Sequence, residues 1–219
     1  MSRIHFRVLW VPLFLLLAFC LGSAQAAYNL RYSTITAGAM TFTGNTIGLN
    51  KVANANNPGT SGSIGGYIAD GVATAYNSYP VGTTGTWTLN QSSAVLRIPA
   101  TATVLYAELI WGGSYSYGGQ FRTLAERNGA VTFTTPLGAN SITPDPATAT
   151  DLGTIVGSGG TCNGSPPCFY VRSANVTSLV QALGTGNIPI SVGAIPATIG
   201  ASENNLNNGG WTLAVAYSD

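Results

Sequence analysis

Chemistry that relies on an imidazole starts at a disadvantage in this chain. A Ser–His–Asp or Cys–His mechanism needs a histidine as general base. The single histidine, His5, lies in an apolar-leaning N-terminal segment that reads as a leader. Lys51, the only lysine, sits in a stretch rich in Asn, Gly and Ser, the composition of a solvated loop. Zinc or copper sites of the usual nitrogen and sulfur kind lack ligands. No glycine loop is followed by Lys-Ser/Thr, so phosphate cradling of that type is not expected. Paired carboxylates are the surviving enzymatic option. Glu108, Glu126, Asp145, Asp151 and Glu203 could in principle supply a glycosidase pair. Glu108 stands out because it interrupts the apolar run Val104–Trp111. The structural alternative for it is an ion pair with Arg97 or Arg172, since such pairs also bury carboxylates. Asp145, Asp151 and the Asn204-Asn205 pair offer oxygen ligands of the kind calcium takes, without the spacing of an EF-hand. The expectation is no metal and no cofactor. In Ser114–Gly119, two tyrosines stand among Ser and Gly, the composition of adaptable binding surfaces. Glu108, Tyr115 and Tyr117 are therefore the candidate ligand surface, against the plainer reading of a surface loop with incidental tyrosines.

The start of the chain sets the compartment. Arg3, His5 and Arg7 form a positive head, Val8–Gly22 an apolar stretch, and Ala24-Gln25-Ala26 a small-x-small cleavage signal. Residues 1–26 thus read as a secretory signal peptide, cut before Ala27. The apolar run is shorter than the roughly 20 residues a spanning helix needs, so no membrane span is expected after cleavage. His5 and Cys20 leave with this segment, and so do two of the eight basic residues. Six Lys and Arg then face seven Asp and Glu, a net charge of −1, which leaves no nucleic-acid footprint. Cys162 and Cys168 remain, closely spaced in an exported chain, and a local disulfide is the natural reading.

The elements that must position these residues are strands. Charged residues make up 7% of the chain and hydrophobic ones 45%, which disfavours disorder; abundant Thr, Tyr, Val and Ile favour β-structure. Short apolar segments alternate with turn clusters. The expected strands are Tyr28–Ile35, Met40–Leu49 broken at Thr43-Gly44-Asn45, Thr86–Leu89 and Ala94–Ile98 as a hairpin, and Thr103–Trp111 ended by Gly112-Gly113. Ala130–Thr135, Cys168–Arg172, Ile188–Val192 and Trp211–Tyr217 complete the set. Lys51–Gly66 and Asp145–Pro167 read as loops. Ala174–Leu183 has helical spacing, with Ser173 as its cap and Gly184 as its stop, and is the one helix expected. In Thr103–Trp111 the alternation puts Val104, Tyr106, Glu108 and Ile110 on one face. About nine strands and one helix give an all-β, two-sheet antiparallel sandwich, jelly-roll-like, as a single domain over residues 27–219.

Several segments together resemble a known module. They are Met40-Thr41-Phe42-Thr43-Gly44-Asn45-Thr46, Gly59-Thr60-Ser61-Gly62-Ser63-Ile64-Gly65, and Val104–Gly113. Phe169–Thr177, Ser202–Asn207 and Gly210–Tyr217 follow in order. This combination is similar to the N-terminal module of bacterial exported proteins that carry DUF11-type repeats. The resemblance implies a secreted or cell-surface structural or adhesive role without catalysis. The alternatives are a carbohydrate-binding module and a carboxylate-pair glycoside hydrolase. A protein or glycan partner at the cell surface is expected, and no nucleic acid. Trp211–Tyr217 is apolar on both faces yet lies at the chain's end. Such a strand wants neighbours on both edges, so the further expectation is either a fragment of a longer protein, the domain being C-terminally incomplete, or an unpaired edge of the sheet prone to edge-to-edge association.

Overall fold

The computed structural model describes residues 30–48, 86–117, 119–152, 168–199 and 208–219. The expected signal peptide, Lys51 and Glu203 lie outside them. The chain divides into two units, residues 1–33 and 34–219. The described part of the first, residues 30–33, carries no regular secondary structure.

The second unit is an all-β antiparallel sandwich. Its larger sheet runs β1 (Gly38–Gly48), β10 (Asn208–Ser218), β3 (Thr103–Tyr117), β8 (Cys168–Asn175) and β7 (Thr150–Leu152), with β4 (Gln120–Phe121) added on β3. Its smaller sheet runs β2 (Gln91–Ile98), β9 (Gly186–Gly193), β5 (Val131–Thr135) and β6 (Gly138–Ile142). Without the short β4 and β7, four strands in each sheet interleave the two ends of the chain in jelly-roll order. Among the described residues two short helices, α1 (Leu124–Arg127) and α2 (Thr177–Gln181), decorate it.

The core follows from alternation. Ala107, Leu109 and Trp111 of β3, Leu213 and Val215 of β10, Leu96 and Ile98 of β2, Ile190 and Val192 of β9, and Phe133 of β5 are all buried in one cluster. Val104 belongs to it as well, which corrects the expected alternation. A register shift against Ala216/Tyr217 places Tyr106 opposite Ala216 and Val104 opposite Tyr217. The extra residue, Leu105, reverses the parity, as a bulge must.

Several boundaries differ from expectation for one recurring reason. Gly44 does not break β1, and Gly112 does not end β3. A Cβ on Gly44 would lie 2.3 Å from the Trp211 carbonyl oxygen, and one on Gly112 2.2 Å from that of Tyr170. These glycines permit close backbone approach inside strands rather than turns. Trp87–Leu89 is a 3-10 turn, and β2 pairs with β9 rather than closing a hairpin. Residues 30–35 form no strand, and β4, β6 and β7 had no strong sequence signal. The helix expected from Ala174 begins at Thr177, because Ala174 and Asn175 stay in β8. Its N-cap is Val176 rather than Ser173. Gly184 follows it in the left-handed region, φ 72°.

The last strand is an inner one. β10 pairs with β1 along one side and with β3 along the other. These are the neighbours on both edges that its apolarity on both faces calls for.

Candidate functional site

Glu108 sits at the centre of β3, flanked by Ala214 of β10 and Asn175 of β8. It is buried, at 5% exposure. The Tyr106 hydroxyl donates to Glu108 Oε2, and Ser173 Oγ donates to Oε1 at 2.5 Å. Arg172, one of the partners expected for it, turns to Asp151 instead, and Arg97 is exposed. Trp111 lies in the core while Tyr106 lies on the other face, so these two aromatics do not share a groove with Glu108.

The loop expected to carry Tyr115 and Tyr117 is strand. A second register shift, between Ser114 and Ser116, re-aims Tyr115 into the molecule. Tyr115 is buried beneath the Arg127 guanidinium, 4.0 Å from the ring centroid, and meets Phe121 edge-on at 6.2 Å. Tyr117, opposite Gln120, is half-buried. Seven residues separate Glu108 from Tyr115, about 23 Å of strand. The three residues are therefore not gathered into one surface.

The arrangement around Tyr115 is an ionic cluster that sequence reasoning missed. Asp151 of β7 accepts from Arg127 Nη2 and pairs with Arg172 Nη2, each at 2.9 Å. Arg172 is 1% exposed, and its remaining donors reach Asn128 Oδ1, Thr150 O and Val171 O. Arg127 Nη1 donates to the Arg122 carbonyl at 2.5 Å. Its Nε is buried with no hydrogen-bond partner among the described residues. Partial burial pushes the Asp151 carboxyl upward, but hydrogen bonds and charges from both arginines outweigh it and hold it below its ordinary 3.8. Beside it, burial drives the Tyr170 phenol well above its ordinary value, and its hydroxyl donates to Pro196 O at 2.7 Å. One signal for the cluster was legible: Thr123-x-x-Glu126 is a capping box, and it starts the helix that presents Arg127.

The other carboxylates among the described residues are occupied in structure. Glu126 completes the capping box, and Asp145 caps a 3-10 turn by accepting from Ala147 N at 2.9 Å. Asp219 accepts from the Thr101 hydroxyl. Among the described residues no group of three His, Cys, Asp or Glu could hold a metal ion. Cys168 is buried; its expected partner, Cys162, lies outside the described residues. No helix among the described residues is long and apolar enough to cross a membrane.

One concavity lies on the outer face of the larger sheet. It is a hollow of about 850 Å³ along β1 and β10, lined by residues that include Phe42, Gly44, Thr46, Gly210 and Thr212. Phe42 is 62% exposed. No protein-family model, no curated protein and no solved structure matches the chain.

Proposed function

We propose that this chain is a secreted or cell-surface structural or adhesive module that works without catalysis, akin to the N-terminal modules of exported proteins with DUF11-type repeats. The reading rests on the use of the carboxylates among the described residues. Glu108, Glu126, Asp145, Asp151 and Asp219 each hold a strand, a cap or an ion pair. A glycosidase needs one carboxyl poised as acid and another free as base or nucleophile. The Cys162–Cys168 disulfide and cleavage before Ala27 belong to the same proposal. Exported protein should then begin at Ala27 and run about two mass units below its reduced form.

The test is a screen of the exported protein against a glycan panel for both binding and turnover, alongside recovery from the surface or secreted fraction. Neither turnover nor glycan binding is expected. Hydrolysis lost in Glu108→Gln would overturn the proposal in favour of a hydrolase. A second reading, carbohydrate binding, is favoured by one observation: an exposed aromatic, Phe42, beside the hydroxyl-bearing Thr46 and Thr212. Saturable glycan binding abolished by Phe42→Ala would establish that reading instead.

A further inference from the structure

We propose that residues 145–152 are an edge guard, which keeps β8 from pairing with β8 of a second copy of this chain. A sheet edge displays unpaired N–H and C=O groups and recruits other strands unless it is covered. β8 would be such an edge, since its inner neighbour is β3 and its outer side is met only by this segment among the described residues. The cover is built in two parts. At Ser173, the amide donates to Thr148 Oγ1 at 3.0 Å and the carbonyl accepts from Asp145 N at 2.8 Å; the single Thr148 hydroxyl proton lies between the Asp145 carbonyl at 2.8 Å and the Ser173 carbonyl at 3.1 Å. A threonine hydroxyl and one backbone amide thereby stand in for a neighbouring strand. From Phe169 to Val171 the cover is β7, in register Leu152, Asp151, Thr150.

Such a short strand cannot hold itself in place. All three residues of β7 are exposed, and three register pairs are few. What fastens it is Asp151, whose carboxylate is paired with Arg127 of α1 and Arg172 of β8, while Arg172 Nη1 also takes the Thr150 carbonyl. A charge pointing inward from an edge strand also opposes further pairing, because a strand added there would have to accommodate it. The occupant excluded is a second copy because the same eight-residue edge recurs on every molecule. Two antiparallel β8 strands are self-complementary about a two-fold axis.

The experiment compares the exported chain with Thr148→Val, Asp151→Asn and the double variant, by hydrogen exchange and by sedimentation over a wide concentration range. Thr148→Val keeps shape and charge, so it carries the test even where Asp151→Asn fails to fold. Exchange of the Ser173 amide should rise roughly tenfold in Thr148→Val, the equivalent of one lost hydrogen bond. Amides of β9 and β10 should keep their protection. The variants should associate where the parent stays monomeric, and residues 168–175 should regain protection as they do. Three results would overturn the proposal: exchange unchanged in the folded variants, an exposed β8 that stays monomeric, or association that leaves residues 168–175 unprotected. Parent protein that associates as readily as the variants would do so too.

Discussion

The two long sides of the sandwich are held by different chemistry. Along one side β1 meets β2, the edge strand of the opposite sheet. Thr43 Oγ1 donates to the Val95 carbonyl at 3.0 Å, and Asn45 Nδ2 donates to the Ser93 carbonyl at 2.8 Å. Trp211 Nε1 adds a bond to Ser92 Oγ at 3.0 Å just inside. Every group there is neutral. Along the other side an ionic cluster ties β7 and β8 to α1, with Asp151 between two buried guanidiniums. Neutral side-chain bonds to edge carbonyls contribute modestly and are indifferent to pH. A carboxylate between buried cations matters chiefly through what its loss would strand, because an unpaired charge in the interior is costly. One side is therefore tolerant of substitution and the other is not.

The sharpest way to break this contrast is Arg172→Ala. It removes a wholly buried side chain, strands Asp151 with one cation fewer, and leaves Asn128 and Thr150 without this donor. The expected loss is about 3–5 kcal/mol, read from urea unfolding. A loss near that of a surface arginine would show the ionic side to be ornamental.

Asp151→Asn should come next, at about 2–3 kcal/mol, reduced because its carboxylate is one-third exposed. Its pH dependence has a definite sign. The folded pKa lies below the ordinary 3.8, so the stabilisation is fully present above that value and is lost as pH falls through the folded pKa. The difference in stability between parent and variant should hold steady from neutral pH down to about 4, then shrink in stronger acid. Denaturant midpoints measured across that range check it; a gap that widens in acid would contradict the assignment.

On the neutral side, Asn45→Ala and Thr43→Val should each cost about 1 kcal/mol. Neither effect should change with pH or salt. A salt-sensitive Asn45→Ala would mean that hidden charge acts at this corner. The smallest effect expected is in α1, where Thr123→Ala removes half of the capping box and costs about 0.5–1 kcal/mol. Should it instead approach the cost of Asp151→Asn, the helix would be carrying Arg127's position and the ionic side would extend further than Asp151.

Much of the fold was legible from residue types. The alternation Ala107, Leu109, Trp111 is core in the structure as read, and so is that of Trp211, Leu213 and Val215. Antiparallel sandwich architecture follows from period-2 apolar runs separated by turn residues, because only a second sheet can cover so many one-sided strands. The candidate surface fared differently. Glu108 was singled out correctly as an acid in an apolar strand, but its partners Tyr106 and Ser173 come from the same strand and from a neighbour 65 residues on. Tyr115 was placed on a flexible loop because Ser, Gly and Tyr compose such loops; the bulge that turns it inward depends on pairing with β8.

What the sequence determined by itself was local: strand periodicity, the capping box at Thr123, the stop at Gly184, and the poverty of ionisable groups that limits chemistry. Each depends on a residue and its near neighbours. Only tertiary structure decided which strands flank β10, that Gly44 and Gly112 allow close approach instead of turning the chain, and that Asp151 joins Arg127 and Arg172. Those outcomes depend on which strands become neighbours across long stretches of chain. A glycine or a carboxylate carries no mark of that, because its role is set by the backbone or charge that arrives beside it.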